Sequence, residues 1–342
     1  MEKEPLFGKT LQELMTVART LGMKPFVGKQ MADWLYKKRV TSIAGMRNLS
    51  KASKEKLEAQ YEVGRAPHTE VQESVDGTRK YLFPTAQKRF VEAAYIPDRE
   101  RATLCVSSQA GCRWACRFCM TGRQGFSQHL SAGDILNQIF SLPEYETLTN
   151  LVYMGMGEPF DNLDNVLKSL EILTATYGSG MSPRRITVSS IGIIPAMNRF
   201  LQESDCHLAI SLHTPFDHER ATLMPVQKHY PISAVVENLR SFDFGRQRRI
   251  SFEYIMFEGF NDTQEHLKEM AKLLHGLRCR VNLIKFHPIP DAPYQGCTKE
   301  KMEWFRDQLT QRGLTTTIRA SRGEDIYAAC GLLSTERPPS NS

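Results

Sequence analysis

From about residue 101 onward the sequence alternates between apolar, strand-like stretches and stretches of helical period, which constrains the fold more than any other feature. Repeated β–α units form a mainly parallel sheet that is covered by helices. About six units predict a partial, TIM-like (β/α)6 barrel, and an open doubly wound α/β sheet is the alternative. In both architectures the carboxyl ends of the strands form the active face. The predicted strands are ATLCVS, NLVYMGM, RITVSS, HLAISLH, RISFEYIMF, RVNLIKF and LTTTIRA.

The chain before the barrel divides into two smaller units. Residues 1–64 contain three stretches of helical period and predict a small all-helical domain. Residues 65–100 contain the strand-like stretches TRKYLFP and KRFVEAAYIP and predict a β-hairpin extension that leads into the barrel. The barrel domain then occupies residues 101–334, and the polar, proline-containing residues 335–342 predict a disordered tail.

The composition is that of an ordinary globular protein, with 41% hydrophobic and 24% charged residues. No apolar run reaches the roughly 18 to 20 residues that span a bilayer, and the start MEKEPLFGKT lacks an apolar signal region, which predicts a cytoplasmic protein without membrane contact. A net charge of +6 weakly favours a polyanionic partner. Lys37, Lys38 and Arg39 end the second predicted helix and are candidates to grip a phosphate backbone, although cations there also suit the helix dipole.

Three of the eight cysteines lie on one short loop directly after the strand ATLCVS. Cys112, Cys116 and Cys119 follow a C-x3-C-x2-C spacing, and clustered cysteines in a reducing compartment are more often metal ligands or catalytic thiols than disulfides. Thiolates at this density favour zinc or an iron–sulfur cluster. A structural zinc site closes with four protein ligands. An iron–sulfur cluster that is held by only three cysteines would leave one iron open to bind and activate a further ligand.

The C-x3-C-x2-C loop resembles that of radical S-adenosylmethionine (SAM) enzymes, and other stretches resemble the RlmN/Cfr family of RNA adenosine methyltransferases, its carbon-2 branch above all. The resemblance covers nearly the whole chain and implies a radical SAM barrel. The stretches that carry it are LCVSSQAGC at 104–112, MGMGEPFDN at 154–162, SLHTP at 211–215, LMP at 223–225 and RGEDIYAACG at 322–331.

The resemblance implies the reaction and its participants. The cysteine triad would hold a 4Fe–4S cluster, and the open iron would bind SAM for reductive cleavage to a 5′-deoxyadenosyl radical. The expected substrates are 23S rRNA, at the peptidyl transferase centre, and tRNA, at the adenosine 3′ of the anticodon. The family pattern further implies two molecules of SAM per turnover, an electron donor such as flavodoxin or ferredoxin, and a monomer.

Three catalytic residues also follow from the resemblance. Cys330 matches the cysteine that carries the methyl group as S-methylcysteine, whereas its local sequence would suggest an inert buried thiol. Cys105 matches the resolving thiol that forms a transient disulfide with Cys330, although a buried strand cysteine is the simpler interpretation. Glu92 matches the proton acceptor, and a solvent-facing strand glutamate is its alternative. Polar methyl transfer cannot reach carbon 2 of adenine because that carbon is not a nucleophile, whereas radical addition can.

The cofactor-binding residues are expected at successive strand ends. Glu158 could bind the ammonium of the methionyl group or simply cap the next helix. His287 stands where the family commonly has an asparagine, and its imidazole can still form a hydrogen bond. The complete expected SAM set is Gly157, Glu158, Ser189, Ser211, Leu212, His213 and His287.

Two other functions compete with carbon-2 methylation. A Cfr-like carbon-8 adenosine methyltransferase, which confers antibiotic resistance, shares the cysteine triad, Cys105 and the terminal cysteine. A zinc-dependent RNA-binding module would use the cysteine loop and the basic helix without catalysis, but the large β–α domain argues against it. Cys206, Cys279 and Cys297 fall outside all of these motifs and receive no role.

Overall fold

The computed structural model describes residues 3–244 and 248–335. The strands are β1 (Glu4–Pro5), β2 (Tyr61–Glu62), β3 (Glu70–Glu73), β4 (Arg79–Pro84), β5 (Phe90–Asp98), β6 (Arg101–Cys105), β7 (Gln109–Gly111), β8 (Phe126–His129), β9 (Asn150–Tyr153), β10 (Ile186–Ser190), β11 (His207–Ser211), β12 (Ile250–Met256), β13 (Cys279–Lys285) and β14 (Thr315–Ile318). The α-helices are α1 (Leu11–Thr20), α2 (Phe26–Ala32), α3 (Lys51–Gln60), α4 (Met120–Gln124), α5 (Ala132–Phe140), α6 (Leu163–Thr174), α7 (Ile194–Glu203), α8 (Asp217–Leu223), α9 (Ile232–Arg240), α10 (Gln264–Leu273) and α11 (Lys299–Gln311).

Seven parallel strands form the barrel, and they lie side by side in chain order, β6-β9-β10-β11-β12-β13-β14. A doubly wound sheet reverses its strand order near the middle, and this sheet does not. Because parallel crossovers share one hand, an unreversed order places all of the crossover helices on the same face. The sheet therefore curls around its other face as a partial barrel, which confirms the predicted architecture and excludes the open-sheet alternative.

The interior of this barrel is only partly filled. On the outer side, apolar residues such as Tyr254 pack against the helices, and the Tyr254 ring stacks on Phe305 of α11 with centroids 5.7 Å apart. TIM barrels usually fill their interior with branched apolar side chains. Here small polar side chains, among them Thr103, Thr187 and Ser251, line a cavity of about 610 Å³. The open interior leads up to the carboxyl ends of the strands.

The segment before the barrel continues the same sheet. The strands β3, β4 and β5 pair antiparallel with one another, and β5 pairs antiparallel with β6, so the sheet has ten strands. The sequence predicted only the hairpin β4–β5, because β3 (Glu70–Glu73) is exposed at every position and shows no apolar alternation. Asp76 lies in the β3–β4 turn and accepts a hydrogen bond from the Gly323 N–H at 3.0 Å, which ties the extension to the last part of the chain.

The amino-terminal unit packs on the outside of the barrel. It contains the three predicted helices, with one π-helical turn at Asp33–Lys37, and in addition the two-residue parallel pair β1–β2. Phe140 of α5 contacts both Phe7 and Tyr36, with ring centroids 5.6 and 5.9 Å apart. In the described part of the chain no helix is long and apolar enough to cross a membrane. Of the predicted tail, residues 336–342 lie outside the described residues.

Candidate active site

The cysteine loop projects from the carboxyl end of β6 and is closed by a small ladder. Strands β7 and β8 pair antiparallel, and the Cys112 N–H donates to the Gly125 carbonyl at 2.9 Å. Gly111 has a φ of +75°, and a Cβ there would lie 1.8 Å from the Gly125 oxygen, so this turn requires glycine. The loop ends where the Cys119 N–H donates to the Cys116 carbonyl at 3.1 Å and α4 begins. The backbone thus presents all three thiols from one hydrogen-bonded loop.

The three loop cysteines line one cavity of about 150 Å³. Burial raises the pKa of the Cys112 thiol to about 12 and raises the pKa values of Cys116 and Cys119 as well, so the three groups are neutral thiols until a metal displaces their protons. Within the described residues, no three His, Cys, Asp or Glu side chains converge as around a single metal ion. In a 4Fe–4S cluster each thiolate binds a different iron, so its ligands need not converge on one point.

A buried cation beside the loop fits an anionic group at this position. Arg220 is 0% exposed, and Cys116 is close enough to influence its charge. No described carboxylate lies within ion-pair distance of its guanidinium, and its Nε has no hydrogen-bond partner. Because a buried charge is expensive without a counter-charge, thiolates that bind an iron–sulfur cluster suit this environment. The donor set and the cation together agree with the iron–sulfur prediction.

Glu158 forms the wall of the same cavity on the β9 side. Its carboxylate accepts hydrogen bonds from the N–H groups of Phe160 at 3.0 Å and Ile191 at 3.1 Å. Glu158 therefore caps the short helix that follows, and it also lines the cavity. Burial raises the pKa of Glu158 to about 7. Gly157 before it has a φ of +95° and packs against Gln109. The Glu158 carboxylate is therefore positioned to bind a cationic ligand in the cavity.

Of the other expected SAM residues, three line the cavity and two do not. Ser189, Ser211 and His213 lie at the ends of β10 and β11 and face the cavity. The His213 Nδ1 accepts the Ile255 N–H at 3.1 Å, and burial lowers the pKa of His213 to about 3, so its ring is neutral. Leu212 is buried in the main apolar core. His287 lines the 610 Å³ interior cavity, where its Nε2 lies 2.9 Å from the Ser321 hydroxyl.

Cys330 and Cys105 meet at the junction between the two cavities. Cys330 is exposed and lines both cavities, whereas Cys105 is buried at the end of β6 and lines the larger one. Both are free thiols in this structure, and Cys330 lies close enough to raise the pKa of Cys105, which burial mainly brings to about 12. The structure therefore brings the two cysteines of the predicted disulfide together without joining them.

Glu92 lies on the far side of the segment that follows Cys330. Its carboxylate forms an ion pair with Lys80 at 3.1 Å and accepts the Ser334 N–H at 2.9 Å. It lines a separate cavity of about 460 Å³ that also includes Lys80, Tyr327 and Ser334. Burial raises the pKa of Glu92, and Lys80 opposes that effect. Glu92 is thus buried rather than solvent-facing, and the residues after Cys330 separate it from the cysteine cavity.

The basic cluster on the second helix is largely engaged within the chain. Lys38 pairs with Asp33 at 3.4 Å and lies over the Trp34 ring. Arg39 pairs with Glu146 and lies over the Tyr145 ring. Lys37 is exposed. Two of the three candidate phosphate contacts therefore already have internal partners.

Three charged residues of the site were missed by the sequence reasoning. Arg319 lines both cavities, lies beside Cys105 and Cys330, and donates to Glu253 at 3.4 Å. Glu253 is 3% exposed in the mostly apolar strand β12. Arg220 donates hydrogen bonds to the carbonyls of Ile191 and Ser211, two residues that line the smaller cavity. The available signal was Glu253, a charged residue in the middle of a strand that is otherwise mostly apolar, which is uncommon without a partner or function.

Comparison with known proteins places the chain among close relatives. The model described as the radical SAM superfamily matches residues 106–274, and the model described as the ribosomal RNA large subunit methyltransferase N-terminal domain matches residues 5–63. The probable dual-specificity RNA methyltransferase RlmN of Phocaeicola vulgatus is 58% identical over 98% of this chain and 96% of its own length. The dual-specificity RNA methyltransferase RlmN of Syntrophus aciditrophicus is 39% identical over 95% of this chain and 94% of its own.

A solved structure shares the whole fold. The crystal structure of a radical SAM methyltransferase from Sphaerobacter thermophilus superposes with a TM-score of 0.91 at 35% identity, covering 97% of this chain and all of that one. The likeness therefore includes the amino-terminal unit and the sheet extension as well as the barrel.

Proposed function

Because the chain belongs to the RlmN family of radical SAM RNA methyltransferases, we propose that it methylates carbon 2 of adenosine in both 23S rRNA and tRNA, at the peptidyl transferase centre and 3′ of the anticodon. The observation that carries this proposal is the junction of two cavities, where Cys330 faces the three-cysteine loop on one side and Cys105 on the other. A methyl-carrying thiol needs access to both the cofactor and the resolving thiol, and this position provides it.

The cofactor would be held by residues of the smaller cavity. Cys112, Cys116 and Cys119 would ligate a 4Fe–4S cluster, which supplies the electron that cleaves bound SAM to a 5′-deoxyadenosyl radical. Glu158 would bind the ammonium of the methionyl group, since its buried carboxylate has no cationic partner within ion-pair distance among the described residues. Ser189, Ser211 and the neutral His213 would provide further polar contacts to SAM.

Cys330 would act as the methyl carrier and consume two molecules of SAM per turnover. The Cys330 thiolate would take a methyl group from the first SAM by displacement of S-adenosylhomocysteine. A hydrogen atom would then pass from that methyl group to the 5′-deoxyadenosyl radical of the second SAM, and the resulting carbon radical would add to carbon 2 of adenine. The adduct radical would return one electron to the oxidised cluster and lose its ring proton to a base. The Cys105 thiolate would then attack the Cys330 sulfur, forming a disulfide and breaking the bond between that sulfur and the methylene carbon, which takes up a proton and leaves as the methyl group of the released base.

Glu92 would accept the ring proton only after a local rearrangement. Its carboxylate is occupied by Lys80 and by the Ser334 N–H, behind the segment that follows Cys330. Movement of residues 331–335 would free one carboxylate oxygen and join the 460 Å³ cavity to the site. We further propose that an electron donor such as flavodoxin or ferredoxin reduces the protein and that a monomer is the active form.

The test is an assay of the anaerobically reconstituted protein with 23S rRNA fragments and tRNA. After digestion of the RNA, mass spectrometry should find 2-methyladenosine from both substrates, and 8-methyladenosine instead would support the Cfr-like alternative. Zinc without iron and sulfide would support the RNA-binding module. Cys330→Ala should abolish methylation, and Cys105→Ala should accumulate protein crosslinked to RNA. Cys206→Ala, a buried cysteine outside both cavities, is the matched control and should retain activity.

A further inference from the structure

Arg220 is buried behind the cysteine loop in a setting that hydrogen bonding alone does not explain. Its Nη1 donates to the Gln227 side-chain oxygen at 2.7 Å, and its Nη2 donates to the carbonyls of Ile191 at 2.8 Å and Ser211 at 2.9 Å. All three acceptors are neutral, so a neutral donor could satisfy them. The buried Nε has no partner. The positive charge of this side chain therefore calls for a separate explanation.

The side chain is positioned by elements that also position the cysteine loop. Arg220 lies on α8, and the Arg117 N–H of the loop donates to the Leu223 carbonyl at the end of that helix, at 3.0 Å. Cys116 packs in the same apolar cluster as Leu223 and Met224. The loop and the helix thus form one packed unit, and the guanidinium keeps a fixed place beside Cys116.

The charge of Arg220 persists in this environment. The guanidinium of arginine is not deprotonated in proteins, so Arg220 is a cation at neutral pH even though it is fully buried. Asp217, at the start of α8, is exposed and interacts with Arg220 without forming an ion pair with it. Gln227 and Ser233 donate to the Asp217 carboxylate at 2.5 and 3.1 Å. A cation in this position is therefore largely uncompensated among the described residues.

We propose that Arg220 is a positioning residue whose buried positive charge raises the reduction potential of the iron–sulfur cluster held by Cys112, Cys116 and Cys119. Uptake of one electron from a one-electron donor adds one negative charge to the cluster. A fixed cation in a water-poor setting stabilises the more negative, reduced state over the oxidised state. Net charge, hydrogen bonds and solvent exposure are the features that set such potentials.

This inference rests on the proposed cluster, so the experiment measures the cluster first. Iron and acid-labile sulfide are determined in the anaerobically reconstituted wild type. The midpoint potential is then obtained by dithionite titration followed by electron paramagnetic resonance. A wild type that binds no iron and sulfide would refute the proposed function. A loaded wild type whose potential does not depend on Arg220 would refute only the role of Arg220.

Three variants separate charge from geometry. Arg220→Met removes the charge and all three hydrogen bonds, and its midpoint potential should become more negative than that of the wild type. Arg220→Lys keeps the charge and should hold a potential close to the wild type, although it loses the forked geometry. Asp217→Asn removes the exposed carboxylate that partly offsets Arg220, so its potential should shift in the opposite direction, to a more positive value.

The outcomes are decisive even if one variant does not fold. Equal shifts in Arg220→Met and Arg220→Lys would show that geometry matters and charge does not, which contradicts the proposal. If Arg220→Met cannot be loaded, Asp217→Asn decides the question, and an unchanged potential in that variant contradicts the proposal. Arg199→Met removes an exposed arginine on α7 and is the control, for which no shift is expected.

Discussion

Glu158 is a buried carboxyl group without an ion-pair partner among the described residues, and its titration should be visible in the stability of the protein. Burial raises its pKa from the ordinary 4.5 to about 7. Between these values the folded chain binds more protons than the unfolded chain, so this group makes stability fall as the pH rises. The total change is on the order of 3 kcal/mol, because each tenfold change in proton affinity corresponds to about 1.4 kcal/mol.

Replacing Glu158 by glutamine should remove this part of the pH dependence. Urea denaturation of the metal-free protein between pH 5 and 8 should show a smaller loss of stability with rising pH for Glu158→Gln than for the wild type. The hydrogen bonds lost in the variant lower stability at every pH, so the slope is the informative quantity. Glu100→Gln, at an exposed position, should keep the wild-type slope. Equal slopes for all three proteins would argue against the raised pKa.

Arg319 is a cation that interacts with both of the thiols that the proposed mechanism uses. It lies beside Cys330 and Cys105, and its guanidinium donates to Glu253. In the proposed mechanism Cys330 takes a methyl group from SAM, and a cation beside it would stabilise the negative charge of the attacking sulfur. Arg319→Met should therefore slow this methyl transfer by roughly tenfold if about 1.4 kcal/mol is lost, and so lower the fraction of Cys330 that carries a methyl group before the reaction is complete.

Peptide mass spectrometry of protein made with the cluster intact would measure that methylated fraction. Arg319→Lys keeps the positive charge and should retain most of the methylation. A fully methylated Cys330 in Arg319→Met would show that the cation is not needed for the first transfer.

Among the elements, the turn after β9 depends on a single glycine. Gly157 has a φ of +95°, and a Cβ there would lie 2.4 Å from the Gln109 Cβ. Gly157→Ala combines an unfavourable backbone conformation with a steric overlap and should cost about 2–4 kcal/mol of stability. Gly180→Ala also has a positive φ, but no atom lies within 4 Å, so it should cost only about 1–2 kcal/mol. Thermal unfolding would compare them, and equal losses would contradict the steric argument.

The strand–helix alternation and the cysteine loop were predictable because each depends on residues that are close together in the sequence. Buried strands such as β12 are apolar throughout, except for the polar residues that face the interior. The strand β3 was missed because it has no apolar face that the sequence could reveal. It is stabilised by pairing with β4. Ser211 and Glu158 could be placed at strand ends from sequence, since parallel strands share one active edge.

The tertiary contacts of the site were beyond the reach of sequence reasoning. The approach of Arg220 to Cys116 joins residues that are distant in the chain, and no periodicity reports it. The same holds for Glu92, whose contact with Ser334 spans most of the chain. The family resemblance assigned expected roles to individual residues, and those roles remain predictions. The sequence could not predict that residues 331–335 separate Glu92 from the cysteine cavity.

At the scale of the whole molecule, one continuous sheet and one apolar core link all three parts of the chain. The ten-stranded sheet joins the extension to the barrel, and buried residues from Leu6 to Leu333 belong to a single core cluster. Arg65 donates to the carbonyls of Arg39 and Phe140, both at 2.6 Å, and so connects the amino-terminal unit to α5. An RNA bound by one part would therefore meet the others in a fixed arrangement.

This coupling predicts that the amino-terminal unit and the barrel unfold together. Phe140 is 1% exposed and packs against Phe7, Tyr36 and Tyr145, so Phe140→Ala should cost about 3–5 kcal/mol and lower the midpoint of one shared transition. Phe26→Ala removes the same side chain from a position of the amino-terminal unit that is 54% exposed, and it should change stability by less than about 0.5 kcal/mol. Calorimetry of the two variants and the wild type would check this, and two separate transitions in Phe140→Ala would mean that the amino-terminal unit folds independently of the barrel.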